Sequence, residues 1–185
     1  MSAINRLLDN YARQVRLPWA TNLAGKQRVW FAVYPPAEER RLRAKLPQFE
    51  TYTVEGQHGW STVDLTRVLP EFLATQKYRE QIFEKPQHWR PKAALEERAA
   101  EIVSAACSRE EADNNSVVAV IGLASLFDFM RVSSLMERVE DTVRGRLLVF
   151  FPGEYTGNVY RFMDARDGFN YLAVPITSAE SFIPQ

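Results

Sequence analysis

Ser116-Val-Val-Ala-Val-Ile-Gly122 and Arg146-Leu-Leu-Val-Phe-Phe-Pro-Gly-Glu-Tyr155 are two unbroken apolar runs separated by one short helical stretch. A strand apolar on both sides of its pleat is one covered on both faces. Between the runs, Ser134-Leu-Met-Glu137 has the Ser-x-x-Glu spacing of a capping box, which predicts a helix running to about Arg144 and ended by Gly145. Two strands joined through so short a helix form a right-handed parallel crossover. Val117–Gly122 and Arg146–Phe151 should therefore be adjacent or near-adjacent parallel strands. Gly153 predicts a tight turn that aims Glu154 and Tyr155 outward. After an irregular loop, Tyr171–Val174 supplies a last strand.

Working outward, Ile4, Leu7, Leu8, Tyr11 and Val15 recur at helical spacing, and Leu17-Pro18-Trp19 ends that helix. Arg28-Val-Trp-Phe-Ala-Val-Tyr34 is rich in aromatic and β-branched residues and reads as a buried strand stopped by Pro35-Pro36. A helix follows, with Glu38 and Glu39 in its first turn and Arg40, Arg41, Arg43 and Lys45 toward its C-terminus, complementing the helix dipole at both ends. Gly59–Leu65 reads as a strand, and 66–74, 79–83 and 93–107 as helices. The expected fold is a single α/β domain over residues 1–185. Its sheet should be mostly parallel, of about five strands, with helices on both faces.

The chain has 185 residues, 46% hydrophobic and 25% charged, as a globular domain requires. Its apolar runs fall short of a membrane span. The N-terminus lacks the basic-then-apolar order of a signal peptide. Cys107 is the single cysteine. Together these predict a cytoplasmic protein. Net charge is zero, but residues 1–46 hold nine Lys and Arg against three Asp and Glu. That surplus suits either a nucleic-acid contact or an ordinary solvated helix face.

Open α/β sheets bind ligands beyond the carboxyl ends of their strands. Gly122–Arg131 has one glycine and no lysine, so it lacks the glycine-rich, lysine-bearing pattern that cradles phosphate. Ser125 lacks the flanking glycines of a nucleophile elbow and reads as a cap of a helical turn. His58 and His88 show no metal-ligand spacing, and Asp128, Asp164 and Asp167 are scattered. Cys107 reads as a small buried apolar residue. No catalytic residue, cofactor or metal is expected, the alternative being a nucleotide-binding enzyme built at these strand ends. Two constellations remain. One is Glu154 and Tyr155. The other is Asp164-Ala-Arg-Asp-Gly-Phe-Asn170, which gathers Asp164, Arg166, Asp167, Phe169 and Asn170. The second is either a turn held by its own side-chain hydrogen bonds or, with Glu154 and Tyr155, a protein-binding face.

Arg28–Tyr34, His58-Gly-Trp60, Gly122–Phe127, Arg144–Tyr155 and Asp164–Ile176 together resemble the BrxB family, a small component of BREX bacteriophage-exclusion systems. The similarity runs over nearly the full length. It implies a non-enzymatic accessory protein of bacterial antiphage defence. Such a protein works beside a large ATPase, a DNA methyltransferase and PglZ, a protein of the alkaline-phosphatase-like class. PglZ is the partner the resemblance points to. The family supplies no catalytic residues to carry over.

Overall fold

The structure, a computed structural model, describes residues 2–89, 91–163, 165 and 168–185. The described residues form six α-helices and six strands. They are α1 (Ala3–Val15), β1 (Val29–Tyr34), α2 (Glu39–Glu55), β2 (Gly59–Asp64), α3 (Val68–Thr75), α4 (Arg79–Glu84), α5 (Lys92–Cys107), β3 (Ser116–Ile121), α6 (Val132–Val139), β4 (Arg146–Thr156), β5 (Val159–Phe162) and β6 (Val174–Ile176). The sheet order is β2-β3-β4-β1-β6, all parallel, with β5 antiparallel to the far end of β4. The two apolar runs are parallel neighbours as expected, with Val117 opposite Arg146 and Val120 opposite Val149.

The strand pleat divides the core. Val29, Phe31, Val33, Val118, Val120, Leu147, Val149 and Phe151 face α3, α5 and α6. Trp30, Ala32, Val117, Ala119, Leu148 and Phe150 face α1 and α2. The chain runs from β1 to β2 along one face and back from β2 through β3 to β4 along the other. Crossovers of one hand demand this, because reversing direction across the sheet reverses the face used.

Four expectations need correction. The first concerns α6, which starts at Val132 with Arg131 at its N-cap, so Ser134 and Glu137 lie inside the helix and form no box. The Glu96 carboxylate of α5 accepts the Arg131 N–H at 3.0 Å instead, a tertiary acceptor doing what a local hydroxyl was expected to do. That helix stops at Val139, and a 3₁₀ turn over Glu140–Thr142 follows, well before Gly145. Second, α2 continues through Pro47 to Glu55, so its basic residues occupy the first half and none stands in the last turn. Burial of Leu42, Phe49 and Thr53 against α1 and the sheet outweighs the hydrogen bond that proline removes. Third, β4 does not end at Phe151; it extends to Thr156 and pairs with β5, giving six strands. Fourth, the last strand begins at Val174.

Candidate functional site

Beyond the parallel sheet, β4 leaves its neighbours and becomes one arm of a hairpin. The turn is at Gly157 and Asn158, whose φ values of 57° and 61° are the paired positive angles of a two-residue hairpin. Gly153 is therefore not at a turn. It lies within the strand opposite Phe162, where an added Cβ would overlap the Arg161 carbonyl oxygen. Glycine here lets two backbones approach closely.

The hairpin carries an aromatic cluster. The Tyr155 ring lies 4.6 Å from Tyr160, and Phe169 lies 5.9 Å from Tyr160 and 6.1 Å from Phe151. Tyr160 and Phe169 exchange backbone hydrogen bonds of 2.9 and 2.8 Å, which joins the following loop to β5 as a further bridge. The Tyr160 hydroxyl donates to the Ala173 carbonyl at 2.8 Å, pinning the hairpin to the approach of β6. Burial pushes the Tyr160 phenol well above its ordinary range. Of the residues expected to form a face, Glu154 and Asn170 are exposed, and Tyr155 and Phe169 are half-buried against the core. Tyr155 therefore packs inward more than expected, and its hydroxyl donates to Asn158 at 3.0 Å. Asp164, Arg166 and Asp167 lie outside the described residues.

Two hollows flank Tyr155. A cleft of about 720 Å³ opens between Tyr34-Pro35, residues 153–156 and the segment 177–185. A second, of about 620 Å³, is lined by Lys26, Asn158, Asn170, Tyr171 and Leu172. Leu172 stands 74% exposed at its rim. The hairpin and Leu172 escaped sequence reasoning, although Gly157-Asn158 between Tyr155 and Tyr160 is a hairpin signal.

The carboxyl ends of β1 and β2 are closed by a polar network. Arg43 donates to Glu39 at 2.7 Å and to the Thr66 hydroxyl at 2.8 Å, and it reaches Asp64 at 3.4 Å. Asp64 also accepts the Thr66 N–H at 2.9 Å. Partial burial alone would raise the Asp64 carboxyl, but the two Thr66 hydrogen bonds and the Arg43 charge outweigh it and hold the group below its usual range. Ser125 spends its hydroxyl on the Gly122 carbonyl at 2.7 Å, as a cap of the turn. Cys107 is 1% exposed, and burial pushes its thiol up to about 11. Among the described residues no three His, Cys, Asp or Glu converge as metal ligands, and no helix is long and apolar enough to cross a membrane.

The basic segment is largely turned to internal work. Arg16 pairs with Glu55, Arg41 with Glu38, and Arg28 donates to the Val143 carbonyl. From α1, Arg6 and Asn10 hold the carbonyls of Ser178, Thr177 and Ala179, and Gln14 bonds the main chain of Gln185 at both its N–H and its carbonyl.

No curated protein and no solved structure matches the chain. The family model described as BREX protein BrxB matches residues 61–176, from β2 through the hairpin to the end of β6. With well over half its length so matched, including the β3–β4 pair and the aromatic hairpin described above, the chain belongs to the BrxB family.

Proposed function

We propose that this chain is a non-enzymatic interaction subunit, and that it binds PglZ through the outer face of the β4–β5 hairpin. Family membership makes it a component of a BREX antiphage system, which acts through several proteins together. The observation that carries the finer reading is the aromatic hairpin standing beyond the sheet, with Tyr155 between two hollows and Leu172 exposed beside it. Aromatic anchors with a polar rim are the composition of protein interfaces. The internal engagement of arginines in residues 1–46 leaves less of that surplus for nucleic acid.

The test uses Glu154→Gln combined with Leu172→Glu, both at exposed positions, where Glu154 gives up a surface ion pair of 3.8 Å with Arg161, a small loss to the fold. Purified PglZ of the same system should bind the double variant about 30-fold more weakly, the loss expected when a central contact of about 2 kcal/mol is removed. The melting temperature should stay within about 2 °C. Unchanged affinity at unchanged stability overturns the assignment of this face. In the same preparations, ATP or phosphodiester turnover abolished by Ser125→Ala or Asp128→Asn would overturn the non-enzymatic reading.

A further inference from the structure

At the opposite edge of the sheet, where the strands begin, Arg146 opens β4 and is only 5% exposed. Among the described residues no carboxylate pairs with it. Its guanidinium donates to the carbonyls of Gly145 and Ala20, each at 3.1 Å. The flat cation lies 4.7 Å from the Trp19 ring and 5.7 Å from the Trp30 ring, and the two indoles stand edge to face at 83°. The Trp19 ring is itself stacked 3.7 Å from His58, whose Nδ1 is 2.7 Å from the Asn115 side-chain oxygen. Trp19 is thus held from both sides. A pocket of about 330 Å³ opens here, lined by Arg146, Trp19, Trp30, Gln27, Gln14 and Gln185, whose main chain Gln14 holds.

A buried cation without an opposite charge is costly, and indole faces offset only part of that cost. Burial first, and the nearby Arg28 second, draw the guanidinium below its ordinary range. Carbonyls satisfy two of its N–H groups but bring no negative charge. Gln27 takes the Ala24 N–H on its amide oxygen, which leaves its NH₂ group to donate at the pocket mouth. The guanidinium fork pairs with carboxylate and phosphate alike, but one cation and one amide donor between aromatic walls balance a singly charged acceptor better than a multiply charged one.

We propose that the pocket formed by Arg146, Trp19, Trp30 and Gln27 at the amino-terminal edge of the sheet is a carboxylate-binding site. The carboxylate comes either from a small free acid or from an acidic side chain.

The full chain is titrated with sodium acetate, and separately with acetyl-Gly-Asp-Gly-amide, at pH 7 and constant ionic strength with chloride as balance. Tryptophan fluorescence and calorimetry report binding. Saturable binding of either probe is expected. Arg146→Lys, which keeps the charge and loses the fork, should weaken binding at least tenfold. Acetate equal to or tighter than the peptide assigns a free acid, and a peptide at least tenfold tighter assigns a side chain. Should Arg146→Lys fail to fold, Gln27→Glu decides. It sets a carboxylate at the exposed mouth, and should raise the melting temperature while abolishing the response to both probes. Three results each overturn the proposal: no response beyond chloride, inorganic phosphate competing as well as acetate, or a Gln27→Glu protein that still responds to both probes.

Discussion

Gly122 shows how single residues set the carboxyl edge of this sheet. Its φ of +78° is left-handed, and an added Cβ would come within 2.6 Å of both Asp64 Oδ1 and Thr66 N. Strain at φ costs about 1–2 kcal/mol in a non-glycine residue, and the clash with backbone adds to it. Gly122→Ala should lower unfolding stability by about 2–4 kcal/mol, read as a shift in urea midpoint with unchanged slope. A loss below about 1 kcal/mol would show that the Asp64–Thr66 turn yields freely. Asp64→Asn should be milder, about 1 kcal/mol, because the amide oxygen can still accept the Thr66 N–H. The role of Ser125 as a cap was legible from its own neighbourhood. The destination of Arg43 was not, since Asp64 and Thr66 meet it only once α2 has been laid across the sheet.

The same contrast governs the elements. Strands β1, β3 and β4 were readable because burial on both faces leaves a continuous apolar run. The outer half of β4, and with it the pairing of β5, was hidden by Pro152-Gly153, which looks like a breaker. Pro152 is tolerated because β3 no longer flanks β4 at that point, so its missing N–H removes no bond to β3. The start of α6 was misplaced for a different reason: a local Ser-x-x-Glu pattern lost to Glu96, an acceptor from another helix. Hairpin integrity can be tested directly with Gly153→Ala, which forces a Cβ against the Arg161 carbonyl. Amides of residues 159–162 should then exchange at least tenfold faster, and protease should cut within the hairpin, while β1 and β3 stay protected. Uniform deprotection of the whole sheet would mean instead that the hairpin and the parallel core unfold as one unit.

For the whole molecule, buried acids dominate the response to alkali. Burial raises the phenols of Tyr11, Tyr34, Tyr160 and Tyr171, helped at Tyr34 and Tyr171 by the neighbouring Glu39 and Glu140, and moves Cys107 from 9.0 to about 11. Each folded-state value lies above the unfolded one. The folded chain therefore keeps protons the unfolded chain has released, and the stability is present below about pH 9 and lost as pH rises further. Cys107 alone accounts for about 2 kcal/mol by pH 11. Arg146 acts in the opposite sense, since burial draws its guanidinium down, but it is one group against five. Urea midpoints should be level from pH 7 to 9 and fall steadily from 9 to 11, with a shallower fall for Cys107→Ala. A midpoint level through pH 10.5 would refute this account. The candidate face was legible in part: Glu154, Tyr155, Phe169 and Asn170 do gather at one end, but the strand pairing that gathers them is a long-range property. The strand order also has a consequence for biosynthesis. The partners of β1 are β4 and β6, and over a hundred residues separate Tyr34 from Arg146. At ordinary translation speeds that interval lasts roughly 5–20 s. Throughout it, Val29-Trp-Phe-Ala-Val-Tyr34, an uncharged hexapeptide of strand formers, waits on the nascent chain with both edges bare. Soluble yield from the ribosome should depend on holdase chaperones and on slowed synthesis in the cold, far more than the finished fold depends on either.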